Sequence, residues 1–108
     1  MPAKVERIQD EGLRRSMEEA RAALKSGDYK RVVDLSAAAY VELLRRKPEK
    51  MQGADQFRSI GFFPRLGAHL IVNDQHQPEL VYDREKFIFS EAITYFEYAV
   101  DNLIRNEL

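Results

Sequence analysis

The amino-acid sequence predicts a mainly α protein, a small bundle of three long helices with an irregular middle segment that is either a short helix or a β-hairpin. Three observations predict it. Apolar residues recur at three- and four-residue steps over three stretches, the period of helices that each bury one face. The junction Ser26-Gly27-Asp28-Tyr29 reads as one helix ending and another starting at once. Between about residues 48 and 83, Pro48, Gly53, Gly61, Pro64, Gly67 and Pro78 interrupt the apolar pattern. A length of 108 residues suits one domain covering residues 1–108, large enough to bury a core and too small to split it.

The first helix is expected from about Lys4 to Ser26, with Val5, Ile8, Leu13, Met17, Ala20 and Leu24 as its buried stripe. Arg14 with Glu18, and Arg15 with Glu19, fall four apart on the outer face, where each pair contributes a few tenths of a kcal/mol. Gly12 either kinks this helix or weakens it. Gly27 supplies the left-handed conformation that ends a helix without a Cβ penalty, and Asp28 can accept from the free amides of the next first turn. The second helix then runs from about Tyr29 to Arg46, burying Val32, Val33, Leu35, Ser36, Ala39, Tyr40, Leu43 and Leu44. Ala37, Ala38 and Ala39 permit close helix approach. Arg45, Arg46 and Lys47 complement the negative end of the helix dipole, and Pro48 discourages continuation.

In the middle segment Pro64 is acceptable in a helical first turn, which favours a short helix from about Pro64 to Val72. The alternative pairs Leu70–Asn73 with Glu79–Tyr82 as a hairpin across Asp74-Gln75-His76-Gln77. Asp83 is the expected N-cap of the last helix, from Arg84 to Asn106. That helix is rich in aromatic residues. Phe89, Ile93, Phe96, Val100 and Leu103 form one stripe, and Ile88, Ala92, Tyr95, Ala99 and Leu103 an adjacent one, so it either packs centrally or enters a dimer interface.

Seventeen Lys and Arg against eighteen Asp and Glu leave a formal charge of -1, which provides no net field to hold a nucleic acid. The absence of Cys excludes disulfides, thiolate metal sites and cysteine nucleophiles. The leading residues alternate charge with aliphatics where a signal peptide needs an apolar core, so the expected location is cytoplasmic and no membrane partner is expected. No Gly-rich phosphate loop, nucleophile elbow or His-Glu-x-x-His pair occurs, and no cofactor is implied.

Four groups of residues could still carry chemistry or recognition. If the middle segment is helical, Arg65 and His69 stand four apart on one face, able to hold a phosphate beside a general acid or base. His69, Asp74 and His76 carry metal-ligand chemistry at a spacing that matches no strong motif, and no metal site is assigned to them. Glu97 and Asp101 lie one turn apart as paired carboxylates or as part of a solvated face. Tyr95, Tyr98, Phe89 and Phe96 serve either the core or a partner interface.

Ala20, Leu24, Gly27, Asp28, Tyr29 and, in the second helix, Ala39 give the first hairpin a resemblance to a single tetratricopeptide repeat. The resemblance implies a helical hairpin. Val32 and Ser36 depart from that pattern at its small and aromatic slots, no second copy follows, and one repeat cannot build the concave peptide-binding surface of an array. The chain is also similar to the leading helices of HEPN-type bundles, some of which are ribonucleases using an Arg and a His; here Arg65-Leu66-Gly67-Ala68-His69 supplies the pair at a shorter spacing. The expected function is therefore a non-enzymatic helical interaction module, with a second copy or another protein as partner. The alternatives are a small HEPN-like ribonuclease using Arg65 and His69 and a regulatory protein whose middle segment orders in a complex.

Overall fold

The computed structural model describes residues 4–51, 68–75, 77–82 and 92–108. These residues form a 3-10 turn at Val5–Arg7, helix α1 at Glu11–Ser26, helix α2 at Tyr29–Arg46 and a second 3-10 turn at Pro48–Met51, followed by strands β1 at Ala68–Val72 and β2 at Pro78–Tyr82 and helix α3 at Ala92–Arg105. The protein is mainly helical, as its apolar periodicity predicts. Its residues fall into two compact units: one holds the leading turn, α1, α2 as far as Tyr40, and α3; the other holds the chain from Val41, with the second turn and the two strands.

In the first unit, α1 starts later than the periodicity suggests. Lys4 to Gln9 carry apolar residues at helical spacing, but Ile8 is extended at φ -70° and ψ 125°, and so is Asp10 at φ -69° and ψ 122°. The Asp10 carboxylate accepts from the Leu13 amide at 2.8 Å, satisfying one of the free donors of the first turn. That cap sets the boundary. Val5 and Ile8 are nevertheless fully buried, reaching the core from the turn rather than from the helix. Arg14 donates to the Ile8 carbonyl at 3.1 Å and Arg21 to Glu6 at 2.6 Å, tying the turn to α1. The peptide N–H bond at Glu6 first, and the Arg21 guanidinium second, lower the Glu6 pKa, so this pair persists as pH falls into the ordinary carboxylate range and is lost only below it.

Gly12 sits in the first turn of α1. The buried face of α1 is Leu13, Met17, Ala20 and Ala23; Leu24, expected inside, is only half-buried. Arg14 pairs with Glu18 at 3.7 Å as predicted, but Arg15 pairs with Glu11 at 2.6 Å instead of Glu19. An acid four residues before a base is the better orientation in a helix, and Glu19 is drawn across to Arg31 of α2 at 2.9 Å.

Gly27 takes the left-handed conformation at φ 81° and closes α1: its amide donates to Leu24 and the Asp28 amide donates to Ala23 at 2.9 Å. The Asp28 carboxylate then accepts from the Arg31 amide at 3.4 Å, so the residue that ends one helix motif opens the next. From α2 the first unit buries Val32, Val33, Ser36, Ala37 and Ala39, while Leu35 and Tyr40 are half-buried. Small residues at positions 36, 37 and 39 bring backbones close at the cost of little side-chain volume. Ser36 is fully buried and its hydroxyl has no hydrogen-bond partner among the described residues. Replacing it by Ala removes an unsatisfied polar group and improves helix propensity, so Ser36→Ala should raise the unfolding free energy by about 1 kcal/mol, read from the urea midpoint.

Helix α3 buries Ala92, Tyr95, Phe96, Ala99, Val100 and Leu103, a single arc with the spacing of an amphipathic helix. Ile93, expected in this stripe, is 43% exposed. At about 100° per residue it lies at the margin of that arc rather than within it. The helix ends in a second left-handed residue, Glu107 at φ 60°, whose amide donates to Ile104 at 3.0 Å while the Leu108 amide donates to Leu103 at 3.0 Å. The Leu108 main-chain oxygen accepts from the Gln9 amide at 2.7 Å, joining the end of α3 to the segment that leads into α1. Asp83, Ile88 and Phe89, and the stretch 84–91 expected to begin this helix, lie outside the described residues.

In the second unit, Leu43 and Leu44 are buried and Glu42 accepts from Arg46 at 2.9 Å, with Arg45 at 3.7 Å. Pro48 opens a 3-10 turn, so the α-helix stops where the sequence predicts. The middle segment is a hairpin, which corrects the favoured short helix at residues 68–72. Strands β1 and β2 are antiparallel, with Ala68 opposite Tyr82, Leu70 opposite Leu80 and Val72 opposite Pro78. The alternate register positions pair His69 with Val81 and Ile71 with Glu79. Asn73 decides the outcome: its carboxamide oxygen accepts from the Gln75 and Gln77 amides at 3.0 Å each, its own amide donates to the Gln77 carbonyl at 2.9 Å, and Nδ2 donates to Glu79 at 3.2 Å. A short Asn side chain that replaces the turn's missing backbone partners makes the reversal local and fixes the register.

Candidate interaction face on the last helix

Of the residues considered for catalysis, Glu97 and Asp101 lie one turn apart on α3 as expected, and His69 does not keep its expected helical geometry. His69 lies in β1 opposite Val81, so the helical face that would align it with Arg65 is absent at His69, and Arg65 itself lies outside the described residues. Asp74 occupies the exposed hairpin turn, and His76 lies outside the described residues. Among the described residues no three His, Asp or Glu side chains gather as a metal-binding group.

The aromatic residues of α3 divide. Tyr95 and Phe96 are buried in the chain's own core at 0% and 2% exposure, which takes both away from any free surface. Phe89 lies outside the described residues. Tyr98 is half-buried and meets Tyr40 of α2 edge to face, with ring centroids 5.4 Å apart and planes at 70°. This is the favourable arrangement of two ring quadrupoles, and it assigns Tyr98 to helix packing. Burial first, and the Tyr98 hydroxyl second, raise the Tyr40 pKa far above that of a free phenol, so Tyr40 stays neutral.

On the side of α3 away from its buried arc, Ile93, Glu97, Asp101 and Ile104 share one stripe at steps of four, four and three residues, with exposed Arg105 and half-buried Thr94 beside it. Ile93 is exposed and Ile104 half-buried, roughly 16 Å apart along the axis by the helical rise. Glu97 and Asp101 stand between them with no hydrogen bond or ion pair to any described residue. The sequence pattern placed Ile93 in a stripe that either packs centrally or enters an interface, and left Ile104 out of both stripes. Their shared angular position, within about 20° after eleven residues, was the signal that could have found them.

No family model, curated protein or solved structure matches this chain. Among the described residues, no helix is long and apolar enough to cross a membrane.

Proposed function

We propose that the chain is a non-enzymatic helical module for protein–protein interaction, self-association included, and that the outer face of α3 is its contact surface. One observation carries this reading: Ile93, a large aliphatic residue, is 43% exposed on a helix whose other apolar positions are mostly inside. A single exposed Ile is ordinary on a protein surface. Here a second Ile, half-buried, lies along the same line of the helix, and residues at such steps are the anchors by which helices dock on one another.

A benzophenone amino acid placed at position 93 in the full chain should give one discrete cross-linked product in cells, and the same probe at exposed Glu18 of α1 should give none. Ile93→Glu should abolish association while changing the unfolding free energy by less than about 0.5 kcal/mol, because the position is exposed. No product from position 93 would remove this reading.

A further inference from the structure

We propose that the outer stripe of α3 receives a basic amphipathic helix of a partner protein, whose apolar residues lie on Ile93 and Ile104 and whose Lys or Arg side chains reach Glu97 and Asp101. The inference rests on the interaction reading above and names the partner that fits the same face. It follows from the order of chemistry along the stripe: apolar, acidic, acidic, apolar.

Two carboxylates one turn apart repel each other, and a cation three or four residues away offsets the repulsion. Arg105 stands four residues after Asp101 but forms no ion pair with it. Among the described residues no ion pair compensates the two acids, which leaves a small cost in helix stability. A ligand that brings positive charge to the centre of the stripe recovers that cost, and one that brings aliphatic side chains to its ends covers Ile93 and Ile104.

The same charges argue against a second copy of this chain. In a two-fold antiparallel packing of the stripe on itself, the symmetry axis passes midway between Ile93 and Ile104, which sets Glu97 and Asp101 of one copy against those of the other. A parallel packing sets Glu97 against Glu97. Both symmetric arrangements gather four carboxylates at the centre of the contact, where like charges oppose association.

The test uses the full chain and two synthetic helical peptides that share Leu at the flanking positions. One carries Lys at two central positions four apart, and the other carries Glu there. The Lys peptide should shift the Ile93 and Ile104 methyl resonances, and its affinity should weaken as salt is raised, because exposed charge pairs are screened. The Glu peptide, and the Lys peptide against a Glu97→Lys/Asp101→Lys chain, should each bind roughly tenfold more weakly, and the Glu peptide should recover affinity for the charge-reversed chain. Circular dichroism of the double variant checks that its helices are intact. Equal binding of the two peptides, or binding of neither, overturns the proposal. So does a cross-linked product from position 93 at twice the mass of the chain, although that result leaves the interaction reading in place; loss of every product from position 93 ends both.

Discussion

Phe96→Ala is expected to lower the unfolding free energy by about 3–5 kcal/mol. Phe96 is 2% exposed in the middle of the buried arc of α3, with Tyr95 beside it, Ala92 one turn before and Val100 one turn after. The loss has two parts: the ring's transfer from water, and a cavity that neighbours refill only in part. Neighbouring residues limit that refilling. Ala92 and Ala99 on the same helix are already buried and have no longer side chain to swing into the space. Since domains of this size hold only about 5–15 kcal/mol in total, the substitution should move the urea midpoint far toward water and could leave the chain unfolded. Phe96→Leu keeps most of the volume and provides the folded comparison, with an expected loss of about 1–2 kcal/mol. If Phe96→Ala cost less than about 1 kcal/mol, this face of α3 would not be the core of the first unit.

The helices were legible because periodicity and cap chemistry agreed. Gly27 and Asp28 combine a residue suited to the left-handed conformation with a short acid able to cap, so the end of α1 and the start of α2 could be placed from six letters of sequence. The start of α1 was not legible from periodicity alone. Val5 and Ile8 continue the helical spacing, but they are buried from a 3-10 turn, and the decisive signal was the Asp10 cap, which spacing does not register. The hairpin failed for a related reason. Leu70, Ile71 and Val72 are a short apolar run that fits either period, and what resolves it is the three-bond closure made by the Asn73 side chain with residues 75, 77 and 79. On α3 the sequence left the aromatic residues between core and interface; Tyr95 and Phe96 carry large rings and are buried, the core alternative. A single sequence records which residues can form an interface; which of them the core consumes depends on the packing of α1 and α2 against them.

Glu107→Gly should raise the unfolding free energy by about 1 kcal/mol, and Gly27→Ala should lower it by about 1–2 kcal/mol, because the two positions hold the same backbone motif with opposite residues. At each, the left-handed residue donates to the carbonyl three positions back and its successor donates to the carbonyl five positions back: Gly27 to Leu24 and Asp28 to Ala23 in α1, Glu107 to Ile104 and Leu108 to Leu103 in α3. Gly27 meets the requirement at φ 81° without a side chain, whereas Glu107 holds φ 60° with one. A Cβ added at Gly27 would meet no atom within 4 Å, so the loss on Gly27→Ala is purely conformational. Asn tolerates this region better than Ala does, and Gly27→Asn should therefore cost less than Gly27→Ala. Glu107 is exposed and forms no ion pair with any described residue, and its charge lies at the negative end of the helix dipole, so removing its side chain breaks no ion pair there. Glu107→Ala separates the two contributions. It removes the charge but keeps a Cβ in the left-handed region, and should recover only a few tenths of a kcal/mol. Equal gains from Glu107→Ala and Glu107→Gly would assign the cost to charge instead of backbone. The gain from Gly should also reach beyond α3, since the Leu108 oxygen held by this motif accepts the Gln9 amide beside the Asp10 cap. Slower exchange of the Gln9 amide in Glu107→Gly would report that the end of α3 and the entry to α1 are stabilised together.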